Sequence, residues 1–199
     1  NIKVSNFVSL ILILLMLFSS SDLKASKSDA EIILRAEQSI ENISTLEAEF
    51  TQISSDGSYA IGNFYFRRPF QMRLEYNLEQ PYNLITTRKW LIIDEPADKK
   101  VTNYPISETP LKHLLEEKFS LMREEFSTKV TTDNALVEIT LGREEKEFSG
   151  TLILLFETDS MNLRGWIITD AMGVETKVTL QNEIYGRNLP NKLFGWPLY

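Results

Sequence analysis

The chain has 199 residues, 43% of them hydrophobic and 25% charged, a composition that is typical of one globular domain and excludes disordered and low-complexity proteins. It contains no cysteine and one histidine, which excludes thiol nucleophiles, disulfides, iron–sulfur clusters and zinc sites built from Cys or His, so we expect no metal and no cofactor. A net charge of −7 argues against nucleic-acid binding through a diffuse basic surface.

The N-terminus carries an apolar segment at residues 7–18, preceded by Lys3 and followed by three serines. Such a run of about twelve residues is too short to cross a bilayer, which takes about 20. A basic start, a short apolar middle and a small-residue end are typical of a secretory signal peptide with cleavage after Ala25. We therefore expect a signal peptide at residues 1–25 and one mature domain at residues 26–199. An uncleaved membrane anchor is the alternative.

The expected mature domain has a net charge of −8, because residues 1–25 contain two lysines and one aspartate. Export without disulfides is typical of a bacterial periplasmic protein that relies on its core alone. Lipoprotein processing would need a cysteine after the apolar segment, and the sequence has none. We therefore expect a soluble protein in the periplasm.

A capping box at Ser28–Glu31 predicts the start of a helix, because the serine hydroxyl and the glutamate carboxylate can each accept an unpaired backbone N–H. The residues that follow are apolar at helical spacing on one side and polar on the other. The apolar side has Ile32, Ile33, Ala36, Ile40 and Ile43, and the polar side has Arg35, Glu37, Gln38 and Glu41. The pattern predicts an amphipathic helix over residues 29–44.

From residue 46 the hydrophobic period changes to two, which indicates strands that bury one face. The first run extends from residue 46 to a turn at residues 54–57. Further runs lie at residues 59–66, 71–76, 82–86, 89–94, 100–103, 128–132, 136–141, 151–157, 163–169 and 174–185. About eleven short strands joined by turn signals predict a large antiparallel meander, open or partly closed as a barrel.

Residues 110–126 interrupt the strand pattern. Thr109 as N-cap and Pro110 at the first helical position predict a helix start. The predicted apolar stripe consists of Leu111, Leu114, Leu115, Phe119 and Met122. Because this segment and the N-terminal helix alone would cover a wide curved sheet, the layers leave room for an apolar cavity, with a packed core that binds no ligand as the alternative.

One basic side chain falls on the predicted apolar face of two neighbouring strands. Counted with period two, that face carries Phe64, Phe66, Arg68, Phe70, Met72, Leu74 and Tyr76. A guanidinium on an apolar face needs acceptors, and backbone carbonyls at the end of a covering helix would serve. The alternative is an arginine at a strand end that extends its guanidinium into water.

With this segment, the sequence resembles the LolA family of periplasmic outer-membrane lipoprotein carriers. Residues 46–52 look like the first strand of the family, and residues 62–69 look like its Gly-x-Phe-x-x-x-Arg-Pro signature. Residues 103–111 look like the approach to the family's helical lid, and the end of the chain, with Leu193-Phe194, is also similar. The resemblance covers about residues 29–196.

The resemblance implies a mainly β (α+β) fold. This fold is an incomplete antiparallel barrel of about 11 strands, covered by an N-terminal helix and a helical lid, around an apolar cavity for acyl chains. Arg68 matches the family's lid-contacting arginine, and Leu111, Leu114 and Leu115 are expected as further lid contacts. The expected cavity lining is Phe50, Phe64, Phe66, Met72, Leu74 and Tyr76. The sequence departs from the family at Met72 and Leu74, where the family usually has Phe and Trp, so the face stays apolar but becomes more adaptable.

The resemblance also implies a function. The expected protein is a monomeric periplasmic chaperone, not an enzyme, that carries acylated lipoproteins. It would receive them from the inner-membrane LolCDE transporter and deliver them to LolB or to the outer membrane itself. The alternatives are a LolB-like acceptor, which would need a lipidated cysteine, and a periplasmic lipid-binding sensor, which would need a second domain. A hydrolase is the remaining alternative, although His113, the one imidazole, is expected on the lid surface.

Overall fold

The computed structural model describes residues 20–109, 111–123, 127–133, 135–142, 150–170 and 172–199, with side chains from residue 28 onward. The chain begins with helix α1 (Ser20–Glu41). The strands are β1 (Thr45–Ser54), β2 (Tyr59–Arg67), β3 (Gln71–Tyr76), β4 (Asn83–Thr86), β5 (Trp90–Glu95), β6 (Lys100–Pro105), β7 (Ser127–Thr132), β8 (Leu136–Gly142), β9 (Thr151–Glu157), β10 (Leu163–Thr169) and β11 (Glu175–Tyr185). A second short helix, α2 (Lys112–Leu115), lies between β6 and β7. Most of the predicted signal peptide lies outside the described residues.

The strands form one antiparallel sheet in the order β6-β5-β4-β3-β2-β1-β11-β10-β9-β8-β7. Strands β1–β6 and strands β7–β11 each pair in sequence order, and the two halves join at the centre, where β1 pairs with β11. The consecutive strands β6 and β7 are the two edges, so the sheet is open where the chain passes from one to the other. The prediction of an incomplete antiparallel barrel of about 11 strands is confirmed.

Helix α1 covers the inner face of the sheet. Ile33, Ala36 and Ile40 recur at helical spacing and are buried in the main core. The predicted start was wrong, because the helix begins at Ser20 and the capping box lies inside it. Leu, Lys and Ala in the preceding turns are good helix formers, so the helix extends toward the N-terminus. Among the described residues, no helix is long and apolar enough to cross a membrane.

The crossover segment, defined here as residues 106–123, joins the two edges of the sheet. Six of its apolar side chains are buried in the same core as α1 and the inner face, namely Ile106, Leu111, Leu114, Leu115, Phe119 and Leu121. The predicted long helix over residues 110–126 was wrong. The described part holds a 3-10 turn (Ile106–Glu108) and α2, and residues 110 and 124–126 lie outside the described residues.

Tertiary hydrogen bonds explain why the helix ends at Leu115. The Leu115 carbonyl accepts a hydrogen bond from the Phe70 N–H at 2.8 Å. The next two carbonyls along the chain accept hydrogen bonds from the Arg68 guanidinium. The N–H of Leu121 donates to the Glu37 carboxylate at 2.6 Å. Because these partners replace helical ones, the helical spacing does not continue, and Met122 is 62% exposed instead of lying on an apolar stripe.

The predicted N-cap of this helix was also wrong. The Thr109 hydroxyl donates to the Ile106 carbonyl at 3.0 Å, and the residue that caps α2 is Leu111, without a side-chain hydrogen bond.

After β11 the chain returns over the outer face of the sheet as the C-terminal strap, defined here as residues 186–199. Leu189 and Phe194 are its buried anchors, and a 3-10 turn (Asn191–Phe194) packs against β3. At its end the Tyr199 hydroxyl donates to the Asp94 carboxylate at 2.6 Å. No local pattern predicts this strap, since its residues have neither the helical nor the strand period.

Candidate functional site

The candidate site is the inner face of β1, β2 and β3, together with the elements that cover it. All six residues predicted to line a cavity lie there and are at most 4% exposed, namely Phe50, Phe64, Phe66, Met72, Leu74 and Tyr76. The strand register explains this, because Phe64 pairs with Leu74 and Phe66 pairs with Met72, so the buried positions of both strands share one face. That these side chains contact acyl chains stays a prediction.

Aromatic rings form one end of this inner face. The rings of Phe50 and Tyr76 meet edge to face at 5.1 Å, and Tyr82 stacks on Tyr76 at 4.2 Å. The Tyr76 hydroxyl donates to the Gln52 side chain at 2.7 Å, and burial raises the pKa of that hydroxyl strongly. Further along, Trp166 on β10 lies 5.4 Å from the ring of Phe64. The apolar face therefore extends across the β1–β11 pairing into the second half of the sheet.

Arg68 projects from the end of β2 toward the crossover segment. Its Nη2 atom donates to the backbone carbonyls of Glu116 and Glu117 at 2.9 and 3.0 Å, just beyond the end of α2. Burial lowers the pKa of the guanidinium, and the Glu41 carboxylate opposes that shift. The Nη1 atom is buried and has no hydrogen-bond partner among the described residues. A charged group held in this way favours the observed position of the crossover segment.

Helix α1 makes a second polar contact that holds the crossover segment. One carboxylate oxygen of Glu37 accepts both the Ser120 hydroxyl at 3.0 Å and the Leu121 N–H at 2.6 Å. Sequence reasoning missed this residue, because the helical pattern placed Glu37 on the polar side with Gln38 and Glu41. An isolated helix pattern shows which side is polar, but it does not show which polar residue a distant loop will meet.

Phe70 departs from the predicted face. Its backbone has a φ of 67°, which turns the residue away from the alternation of β2 and β3. The ring lies 4.7 Å from the Arg88 guanidinium and outside the main core. With Arg88, Lys89, Ile106, Lys112 and Leu115, it lines a cleft of about 290 Å³ beside the crossover segment. Its lining also includes Ser107 and Glu116, so the cleft combines apolar side chains with charged groups of both signs.

His113 lies in α2 and is 8% exposed, so its predicted position on the surface was wrong. The helix places it with Leu114 and Leu115 on the side that enters the core. Its Nδ1 atom is 3.9 Å from the Glu116 carboxylate, which also pairs with Lys112 and Arg123. Within the described ranges no group of three or more acidic or histidine side chains could hold a metal ion.

Comparison with known proteins identifies the family. The family model of the outer membrane lipoprotein carrier protein LolA matches residues 41–196. The chain belongs to the LolA family. No curated protein matches the sequence significantly.

The solved structures to which the chain is similar are distant in sequence. An uncharacterised conserved protein from Thermus thermophilus has a TM-score of 0.52 at 11% identity, covering 85% of this chain and 94% of that one. A domain named for outer-membrane lipoprotein sorting, from Vibrio parahaemolyticus, has a TM-score of 0.49 at 8% identity, with 82% and 94% covered. MucB of Pseudomonas aeruginosa, solved in complex with MucA, has a TM-score of 0.44 at 8% identity, with 84% and 60% covered. The Thermus structure supports the fold alone.

The range matched by the LolA family model contains some of the residues that hold the crossover segment but not all of them. Arg68 and the whole crossover segment lie inside the matched range, whereas Glu37 lies before its first residue. The contact between α1 and the crossover segment is therefore a feature of this chain that the family match does not cover.

Proposed function

We propose that this LolA-family protein is a periplasmic carrier that binds the acyl chains of lipoproteins and takes them from the inner to the outer membrane. The observation that carries the proposal is a continuous apolar inner face covered by a segment whose closure depends on a few polar contacts. Family membership supports the choice of lipoproteins as cargo. In this function the crossover segment is the lid.

The burial of the inner face requires movement before any ligand can enter. Leu114, Leu115 and Leu121 of the crossover segment are almost completely buried against the same core as Phe64 and Met72. An acyl chain that takes their place gains about 0.8 kcal/mol for each CH2 group removed from water. The described state is therefore the closed state of the proposed carrier.

The contacts of Arg68 and Glu37 make ligand binding compete with lid closure. Hydrogen bonds to charged groups contribute about 1.5–3 kcal/mol each, and every 1.4 kcal/mol spent on opening weakens binding about tenfold. This competition lowers the net affinity without removing apolar surface from the site. A carrier needs such moderate affinity, because it has to release its cargo to an acceptor.

The partners follow from the proposed function. LolCDE in the inner membrane would supply the lipoprotein, and LolB or the outer membrane would accept it, with the carrier acting as a monomer. The predicted signal peptide at residues 1–25 and the acidic mature domain at residues 26–199 support a periplasmic location.

The proposal is tested with purified residues 26–199 and spheroplasts that have made a radiolabelled lipoprotein. We expect the protein to release the lipoprotein as a soluble one-to-one complex. A Leu74→Lys variant, which places a charge on the inner face, should fail to release it, and urea unfolding of the same variant shows whether it is folded, since a buried lysine also destabilises the core. If the protein is folded and binds a fluorescent fatty acid but releases no lipoprotein, the carrier function is wrong and a lipid-binding sensor becomes the better hypothesis.

Arg68→Leu tests the role of the lid contact. The substitution removes two hydrogen bonds that stabilise the closed state, so lipoprotein binding should tighten by about tenfold or more and transfer to an acceptor should slow. Release from spheroplasts and transfer to outer-membrane vesicles measure the two steps. Arg187→Leu is the matched control, because Arg187 is half exposed and pairs with Glu47 away from the lid. Unchanged binding and transfer in Arg68→Leu would contradict the competition between ligand and lid.

A further inference from the structure

Two consecutive arginines at the end of β2 serve opposite faces of the sheet. Arg68 reaches inward to the carbonyls of the crossover segment, as described above. Arg67 reaches outward to the C-terminal strap, where its Nη1 atom donates to the Leu189 carbonyl at 2.9 Å and its guanidinium lies 4.7 Å from the Phe194 ring. Its Nε atom donates to Gln71 at 2.7 Å. The crossover segment and the C-terminal strap are thus both held by one short turn between β2 and β3.

The backbone of that turn also contacts the lid directly. Phe70 N–H donates to the Leu115 carbonyl at 2.8 Å, and Arg68 N–H donates to the Ser44 carbonyl at 3.1 Å. Arg67 pairs with Gln71 across the turn, so the residues between them have little independent freedom. A displacement of Arg67 therefore moves the donors that hold the crossover segment.

The strap is fastened to the outer face at points other than Arg67. Arg73 donates to the Leu193 carbonyl at 3.2 Å, and Tyr199 donates to Asp94 at the far end. By strand register, Ile85 and Ile92 lie on the same face as Arg73, and both are fully buried. The strap can therefore be weakened at its Arg67 end or at its Tyr199 end separately.

We propose that Arg67 is a positioning residue through which the C-terminal strap sets the place of Arg68, and so the closure of the crossover segment on the other face. The strap packs on the Arg67 guanidinium, and Arg67 fixes the conformation of the turn. The turn then places the Arg68 guanidinium and the Phe70 N–H within hydrogen-bond distance of the lid. Coupling between two sites is reciprocal in equilibrium terms, so opening the lid also loosens the strap at Leu189 and Phe194. The coupling between the strap and the crossover segment does not depend on the proposed function. Only the role of lid opening in ligand binding rests on it.

Hydrogen exchange on the mature protein without ligand tests the coupling. The Phe70 and Leu121 amides report lid opening, because their acceptors are Leu115 and Glu37. Phe194→Ala and Arg67→Met should each speed their exchange by roughly tenfold, the size expected for the loss of one such contact. Arg67→Lys keeps a cation over the ring but not both hydrogen bonds, so it should restore part of the protection.

Tyr199→Phe is the matched control. It removes only the hydroxyl bond at the far end of the strap, so the Phe70 and Leu121 amides should exchange as in the parent protein. Amides in the β8–β9 pairing should be unchanged in all variants, whereas global destabilisation would speed them as well. In the reverse direction, Arg68→Leu should speed exchange of the strap amides of Leu193 and Gly195.

Two results would overturn the inference. One is unchanged exchange at Phe70 and Leu121 in Arg67→Met while the strap amides exchange faster. The other is equal acceleration of the lid amides and the β8–β9 amides. Neither result depends on lipoprotein binding, so failure of the coupling is distinguishable from failure of the carrier function in the spheroplast experiment.

Discussion

Gly62 shapes the inner face through the side chain that it lacks. It pairs with Phe50 on β1 and with Tyr76 on β3, so the two rings meet over a glycine. A Cβ atom at this position would lie 1.9 Å from the Glu75 carbonyl oxygen and 2.7 Å from the Phe50 ring. The first contact is with backbone, which cannot give way as a flexible side chain can.

Gly62→Ala should therefore destabilise the protein by more than the about 1–3 kcal/mol that is typical of overpacking. The measurement is urea unfolding of the mature protein. Gly57→Ala is the control for the loss of a glycine in a turn. The backbone of Gly57 has a φ of 88°, which strains any other residue, but a Cβ atom there would meet nothing within 4 Å. A cost for Gly62→Ala no greater than that of Gly57→Ala would contradict the close approach.

Tyr76 makes stability depend on alkaline pH. Burial raises the pKa of its hydroxyl above the ordinary value of 10.0, so the folded state keeps the proton while the unfolded state loses it. This contribution is complete below the ordinary pKa and is lost as the pH rises above it. Urea unfolding should give a lower free energy at pH 11 than at pH 9, and Tyr76→Phe should reduce the difference. An equal pH dependence in the variant would exclude Tyr76 as its source.

At the level of elements, the strands could be predicted and the crossover segment could not. Alternation with period two is a local signal, and it located all the strands of the described chain to within two residues. The end of α2 depends on Arg68, Phe70 and Glu37, which are distant in sequence, so a local helical pattern extended it too far. The need of Arg68 for carbonyl acceptors could be reasoned from burial, whereas the choice of Glu37 could not.

The contact between α1 and the crossover segment gives a prediction for that pair of elements. Glu37→Ala removes the acceptor of the Leu121 N–H, so exchange of that amide should rise by tenfold or more if the charged hydrogen bond contributes about 1.5–3 kcal/mol. Hydrogen exchange followed by mass spectrometry of peptides from residues 116–123 measures it. Glu31→Ala is the matched control, because it makes the same change at an exposed position of α1. Equal protection in the two variants would show that Glu37 does not hold the segment.

At the level of the whole molecule, the proposed ligand uptake requires the crossover segment to separate from the sheet. Arg88 and Glu117 are suited to test this, since their side chains approach to 3.8 Å across the boundary and are 70% and 71% exposed. The chain has no cysteine, so Arg88→Cys with Glu117→Cys can be joined by a short bis-maleimide without competing thiols. The cross-linked protein should stay folded and fail to take up lipoprotein from spheroplasts.

A cross-link within one hairpin is the control for this experiment. Glu95 and Lys100 pair at 2.6 Å at the ends of β5 and β6, so joining cysteines at those positions should leave uptake unchanged. Uptake by the protein cross-linked between residues 88 and 117 would mean that the acyl chains enter by another route.

The central pairing of β1 with β11 also determines the order in which the chain can fold. Phe50 lies opposite Leu180, so one edge of β1 pairs with β2, its neighbour in sequence, while its other edge stays unpaired until the last strand is present. Closing the long loop between β1 and β11 is slow. Until these two strands pair, the free edge of β1 is a template for aggregation. We therefore expect two antiparallel meanders, β1–β6 and β7–β11, to form first and the pairing of β1 with β11 to form last. A nascent chain that has not yet produced β11 has no finished inner face.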